Sequence, residues 1–250
     1  FVDCEQGSFN MSLEGIRRAV TEKTRVIIPT HLFGYPMDVH AVQEIAEDAS
    51  RSYGHKVYVV QDCAHSFGAS WRGDLVTKFG DAAIFGSNVS KLINSIFGGM
   101  VITGEEVLAV KLREWRKKNL LEKGWRKSIR RSLYFVAVSF AFRPEFYGWV
   151  YWLERKGMLD RFVKYYDEAA IDFPADWNHA PVEIEARVGM VQLRRYDRIV
   201  ENRCKLAKHL VEQMGDRDDL RMLPLVDGAT YSHIVALALP RSSRVGRGAG

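Results

Sequence analysis

Cysteine is scarce in this 250-residue chain: Cys4, Cys63 and Cys204 are an odd number at wide spacing. No CxxC pair occurs, which excludes a disulfide framework and a cysteine zinc site and fits a reducing compartment. No apolar run approaches the roughly 20 residues of a membrane-spanning helix. GxGxxG, GxxxxGK(S/T), HExxH and HxxxH are all missing, removing the strongest motif arguments for dinucleotide, P-loop and zinc sites, so no metal is expected. Acidic residues are only slightly outnumbered. Lys+Arg of 36 against Asp+Glu of 31 leaves a net charge of +5, an excess compatible with polyanionic substrates, nucleic acid or an anionic surface without choosing among them.

What is present is globular. A composition of 47% hydrophobic, 27% charged and 12% aromatic residues excludes a disordered or collagenous chain, and the length suits one large domain or two smaller ones. Residue 1 is Phe, the opening FVDCEQ has no leader pattern, and RSSRVGRGAG closes the chain as a Gly/Arg tail. An internal fragment, shortened at both ends, is the expectation.

Arg25–Pro29 and Lys56–Val60 read as strands buried on both faces. Between them Asp38 caps a helix with Val39, Val42, Ile45, Ala46 and Ala49 on one face, which Gly54 stops. Such a strand–helix–strand unit predicts a parallel sheet with a right-handed crossover, and ligands bind beyond the carboxyl ends of its strands. Ala82–Gly86 and Gly99–Thr103 are further strands, and Glu105 and Glu106 open a helix that closes with Arg116, Lys117 and Lys118. From Asn119 the composition changes: basic residues Lys123, Arg126, Lys127, Arg130 and Arg131 precede two aromatic apolar runs, Leu133–Phe142 and Phe146–Leu153. The segment reads as an insertion packed on the protein or on a dimer partner; the alternative is a membrane-surface element. After Pro181 a periodic apolar segment predicts one long helix or two in series, ending near Gly215, and Arg221–Leu225 and Tyr231–Leu239 read as strands of a smaller α+β domain.

Four residues follow strands and draw attention. Asp62 stands at a strand end in a partly dry crevice, where a carboxylate is costly without a cationic partner, although a turn or cap role fits its position as well. Lys91 lies in a polar loop between two strands, ahead of the glycine pair Gly98-Gly99, where a desolvated amine can act as nucleophile. His31 and His65 both follow strands and face the same crevice by topology, with His31 the candidate substrate contact.

Taken in order, these segments resemble the DegT/DnrJ/StrS family of pyridoxal-phosphate-dependent sugar aminotransferases. Residues 3–37 carry a "FN" strand, a helix and an H-x-x-G-x-P loop. Val60–His65 is similar to the family's "viEDaAq/h" motif, Gly80–Phe85 to its "GD-aafsF" strand, and Ser90-Lys91 through Gly98–Thr103 to its "tKnl" and "GGmvvT" segment. Glu183–Asp197 resembles a family helix more weakly, and residues 119–175 lie outside the resemblance.

The resemblance implies an α/β architecture, the fold type I of aspartate aminotransferase. It comprises a mostly parallel large domain with helices on both faces (1–118), the insertion (119–177), and a smaller C-terminal α+β domain (178–250). It implies pyridoxal 5'-phosphate as cofactor, covalently linked through Lys91, with Asp62 on the pyridine nitrogen and His65 near the ring. Ser87 is the hydroxyl nearest the family's phosphate-binding serine, whose own position is Gly86. Asn178 matches an Asn that reaches the partner subunit's phosphate, while the Arg found two residues on is Ala180. The glycine-rich phosphate turn would precede Phe1. The implied function is a cytoplasmic homodimeric transferase of polysaccharide or cell-surface glycan biosynthesis, moving an amino group from an amino acid such as glutamate to a nucleotide-linked keto-sugar. Two alternatives stand beside it: a sugar dehydratase, a branch that typically replaces the lysine by histidine, and a non-catalytic scaffold, with residues 125–156 as its peripheral membrane contact. No nucleic-acid partner is expected, since the 117–131 basic cluster has no reading motif.

Overall fold

The computed structural model describes residues 1–5, 7–122, 124–158, 177–215 and 219–238. Ser12 opens α1 (Leu13–Ala19) by accepting a hydrogen bond from the Gly15 N–H, and the chain then enters β1 (Val26–Ile27). Helix α2 (Val39–Tyr53) forms between the predicted signals: the Asp38 side chain accepts from the Ala41 N–H at 3.1 Å, and Gly54 ends the helix at φ 67°. Its apolar face seals Ile27, Val57 and Val59 into one core with Ile16.

Strand β2 (Tyr58–Asp62) runs parallel to β1. It extends two residues beyond the predicted end because Val60, Gln61 and Asp62 pair with the later strand β5. Asp62 is therefore the last residue of a strand. A small hairpin of β3 (Ser70–Trp71) and β4 (Asp74–Leu75) precedes β5 (Ala82–Gly86), which is parallel to β2 and antiparallel to β6 (Gly99–Ile102). The sheet order is β1-β2-β5-β6. Its ligand-facing edge, by the rule for parallel sheets, lies past Ile27, Asp62 and Gly86.

Helix α3 (Glu106–Asn119) follows β6, with acidic and basic ends as read from sequence. The described part of the insertion forms two helices. In α4 (Trp125–Ala141) and α5 (Pro144–Arg155), Pro144 sits at the first turn, where its missing N–H costs nothing. One face of α4 packs on the body: Lys127 Nζ donates to the Ala180 carbonyl at 2.8 Å, and buried Arg131 pairs with buried Glu185 at 3.1 Å. Residues 159–176 of the insertion lie outside the described residues, as does the closing Gly/Arg tail.

The segment after Pro181 takes the two-helix form, α6 (Glu183–Leu193) and α7 (Tyr196–Met214), with Gly215 as the stop. Strands β7 (Leu220–Met222) and β8 (Ala236–Ala238) pair antiparallel. Tyr231 does not join β8 as expected. Its backbone turns at φ 45°, and its hydroxyl folds back to donate to the Val226 carbonyl and accept from the Val226 N–H.

Candidate active site

Four separate segments meet at the carboxyl end of the sheet. The first is the Thr30–Gly34 turn after β1, the second Asp62–His65, the third the β5–β6 loop carrying Lys91, and the fourth the approach to β8 carrying His233. Parallel pairing fixes the first two relative to each other, because the Asp62 N–H donates to the Pro29 carbonyl and the His31 N–H to the Asp62 carbonyl.

The Asp62 carboxylate is held from both sides. Oδ1 accepts from the Ala64 N–H at 3.0 Å, and Oδ2 accepts from the Thr30 hydroxyl at 3.4 Å. Lys91 emerges from a turn in which its N–H donates to the Asn88 carbonyl, while Asn88 Oδ1 accepts from the Ser90 N–H and hydroxyl. Its stem crosses Gly86 so closely that a Cβ placed there would stand 3.3 Å from Lys91 Cε and 3.6 Å from Ala64 Cβ. A serine at position 86 would crowd the lysine; glycine leaves its path open. Partial burial lowers the Lys91 pKa from its ordinary value, and the Asp62 charge partly restores it. A lysine so placed is more readily a neutral nucleophile than one in water.

His65 turns its ring toward the same space. Nδ1 accepts from the Phe33 N–H at 3.4 Å, which puts the proton of the neutral ring on Nε2. Burial lowers its pKa first, and the charges of Lys91 and His233 push the same way. The His233 ring lies 5.3 Å from His65 and 5.4 Å from Phe33. Its own pKa is lowered by burial, then by Arg203 and Lys91. Arg203 is fixed by donating to the Tyr231 and Ser232 carbonyls at 3.2 and 2.9 Å. His233, Phe33 and Arg203 carry no local sequence signal for this site, since each depends on contacts far away in the chain.

The remaining candidates are placed differently. Ser87 is in the loop, its hydroxyl accepting from the Ser95 hydroxyl at 2.8 Å. Asn178 belongs to the segment beside α4, where its carbonyl accepts from the Leu121 N–H at 2.8 Å. His31 is not brought into the cleft. It is fully buried, its Nδ1 accepts from the Met37 N–H and its Nε2 meets Gln61 Oε1, both at 2.9 Å. Both ring nitrogens are thus spent within the fold.

An amine of lowered pKa and an anchored carboxylate, with a half-buried imidazole on the same rim, suit an aldehyde cofactor with a basic ring nitrogen. The residues present fit pyridoxal phosphate.

Known proteins point the same way. The model of the DegT/DnrJ/EryC1/StrS aminotransferase family matches residues 1–247. The chain is 34% identical over 108 residues to GDP-perosamine synthase of Escherichia coli O157:H7, covering 43% of this chain and 28% of that protein. It is 37% identical over 117 residues to UDP-N-acetyl-3-dehydro-alpha-D-glucosamine 3-aminotransferase of Acidithiobacillus ferrooxidans, covering 46% and 30%. Among solved structures, the sugar aminotransferase CalS13 of Micromonospora echinospora superposes with a TM-score of 0.68 at 19% identity, over 96% of this chain and 55% of that one. The E. coli GDP-4-keto-6-deoxy-D-mannose-3-dehydratase with bound hydrated PLP gives 0.67 at 18% identity, over 97% and 54%. These likenesses show the type I fold, and the chain spans about half the length of the solved structures and about a third of the curated relatives.

Proposed function

From the chain's membership of the DegT/DnrJ/EryC1/StrS aminotransferase family, we propose that the protein is a pyridoxal-phosphate-dependent aminotransferase acting on a nucleotide-linked keto-sugar. The observation that carries the reading is the Lys91 amine, half-buried and electrostatically coupled to Asp62, on the ligand-facing edge of the sheet. Two relatives whose names specify GDP- and UDP-linked sugars support the substrate class.

When bound, the cofactor supplies an electron sink for negative charge at the amino-bearing carbon. Asp62 holds a proton at the pyridine nitrogen, its two oxygens already oriented by Ala64 and Thr30. Lys91 Nζ would hold the cofactor covalently, and its amine, when free, would serve as the base and acid that moves a proton at the amino-bearing carbon. Burial, then the charges of Lys91 and His233, lower the His65 pKa and so favour its uncharged form beside the lysine. The Ser87 hydroxyl and the Asn178 amide would hold the phosphate, Asn178 from across the proposed homodimer. Glutamate is the proposed donor, and synthesis of surface polysaccharide in the cytoplasm the proposed setting. Lys91 also favours amino transfer over sugar dehydration, because a displaced amine moves protons in both directions whereas an imidazole there would not bind the cofactor covalently.

The purified protein mixed with pyridoxal phosphate is expected to develop a visible absorption band that borohydride fixes onto the Lys91 peptide. Lys91→Ala is expected to abolish both the band and amino transfer. A variant that keeps its turnover, or an adduct mapped to another lysine, overturns the assignment.

A further inference from the structure

Helix α4 is amphipathic in an inverted sense. Its cations Lys127 and Arg131 face inward, bonded to Ala180 and Glu185, with the Arg131 guanidinium 4.0 Å from the centre of the Phe97 ring. Its apolar residues face out. Trp125, Ile129, Leu133, Val136 and Phe140 recur at spacings of three and four, forming one stripe, and are 69%, 51%, 66%, 50% and 49% exposed. Phe142 and Trp149, 71% and 70% exposed, continue the apolar surface through the turn into α5. The two helices hold together through the edge-on rings of Phe140 and Phe146, 6.2 Å apart.

Cations rim this surface. Arg126, Arg130, Arg143, Arg155 and Lys156 are exposed, and Arg126 and Arg143 lie over Trp125 and Phe140 at 5.4 and 4.9 Å. Residues 124–158 contain seven Lys and Arg but two Glu, so they hold the whole excess of positive charge of the chain; the remainder has equal numbers of each sign. A second copy of the same surface would bring like charges together. Anionic headgroups would neutralise them, while the tryptophans and phenylalanines enter the headgroup boundary. No helix among the described residues is long and apolar enough to cross a membrane, and α4, with 17 residues, is about 25 Å long at the α-helical rise. It fits the plane of an interface.

We propose that the α4–α5 hairpin docks the protein on an anionic lipid bilayer, lying in the interface with its Trp125–Phe140 stripe inserted and its flanking arginines on the headgroups.

The test is sedimentation of the intact protein with vesicles of phosphatidylcholine containing about one-third phosphatidylserine, and with phosphatidylcholine alone. Binding to the anionic vesicles is expected, with a blue shift of tryptophan emission and weakening as salt is raised. Because the stripe is exposed, Leu133→Ser with Trp149→Ser is expected to leave the far-ultraviolet circular dichroism unchanged and lower partitioning about tenfold. Arg126→Glu with Arg130→Glu is expected to lower it by a similar factor and to flatten the salt dependence. Equal sedimentation with and without phosphatidylserine, or variants that bind like the parent, would overturn the proposal. So would a dimer in solution that the same variants dissociate, which would assign the stripe to a second copy.

Discussion

His31 and His65 look alike in sequence, each placed just after a strand of the same sheet, yet the fold uses them oppositely. His65 is half-buried beside Lys91, whereas His31 has no exposed surface and both its nitrogens engage protein partners. Lys91 and Asp62 were legible because strand ends and glycine neighbours mark them locally. The fate of His31 depended on Gln61, whose side chain points to the opposite face from Asp62 by the alternation of a strand. Burial lowers the His31 pKa from 6.5 to about 4, against the hydrogen bond that Nε2–H donates to Gln61 Oε1 and the charge of Asp62, which raise it. The unfolded chain therefore binds a proton between these pH values that the native chain refuses, and stability rises with pH across that window. The loss on acidification from the ordinary to the lowered value is on the order of 3 kcal/mol for this group alone. Urea unfolding of the parent and of His31→Asn, measured between neutral pH and pH ~4.5, is expected to show a less stable variant with a distinctly shallower acid dependence. Parallel curves would assign the acid sensitivity to other groups.

Elements whose ends are set by local chemistry were readable, and α2 shows why. Asp38 accepts from the Ala41 N–H, Gly54 takes a left-handed backbone, and five apolar positions between them are all buried. Each of these signals acts within one turn of helix. Asp38→Ala is expected to cost about 1 kcal/mol of stability through the lost cap, read as a lower urea midpoint, and Asp38→Ser to recover most of it. An equal loss in both variants would point instead to the distant Arg72, whose guanidinium lies 3.9 Å from Asp38 Oδ2. Strand ends were less readable. β2 runs on to Asp62 because of pairing with β5, and the expected long strand at 231–239 begins only at Ala236, because Tyr231 bonds back to Val226. Pairing partners and a side chain's return to its own loop are tertiary facts, outside the reach of periodicity.

At the scale of the molecule, the C-terminal elements are seated on the sheet's ligand edge by two close approaches to glycine. Gly34, at φ 89°, receives the backbone of Tyr231 and Ser232, whose nitrogens would stand 2.7 and 2.8 Å from an added Cβ. Gly68, at φ 77°, lies under Tyr196, the first residue of α7, whose hydroxyl donates to the Phe67 carbonyl at 3.2 Å and whose ring meets that of Phe67 at 5.7 Å. This second contact joins the turn after His65 to the helix that carries Arg203, and hence to His233. A Cβ at position 68 would stand 1.8 Å from the Tyr196 hydroxyl, in a backbone conformation that already disfavours a side chain. Gly68→Ala is therefore expected to destabilise the fold by about 2–4 kcal/mol, combining left-handed strain with the clash. Tyr196→Ala alone is expected to cost about 2 kcal/mol in lost packing. Because the clash needs both groups, the two losses are not additive: with Tyr196 removed, the added methyl costs only its backbone strain, and the double variant is expected to be more stable than the sum of the single losses by about 1–2 kcal/mol. Urea midpoints of the four proteins measure that coupling. A coupling near zero would mean that α7 is not seated on the Gly68 turn, and that Arg203 and His233 reach the lysine by some other support.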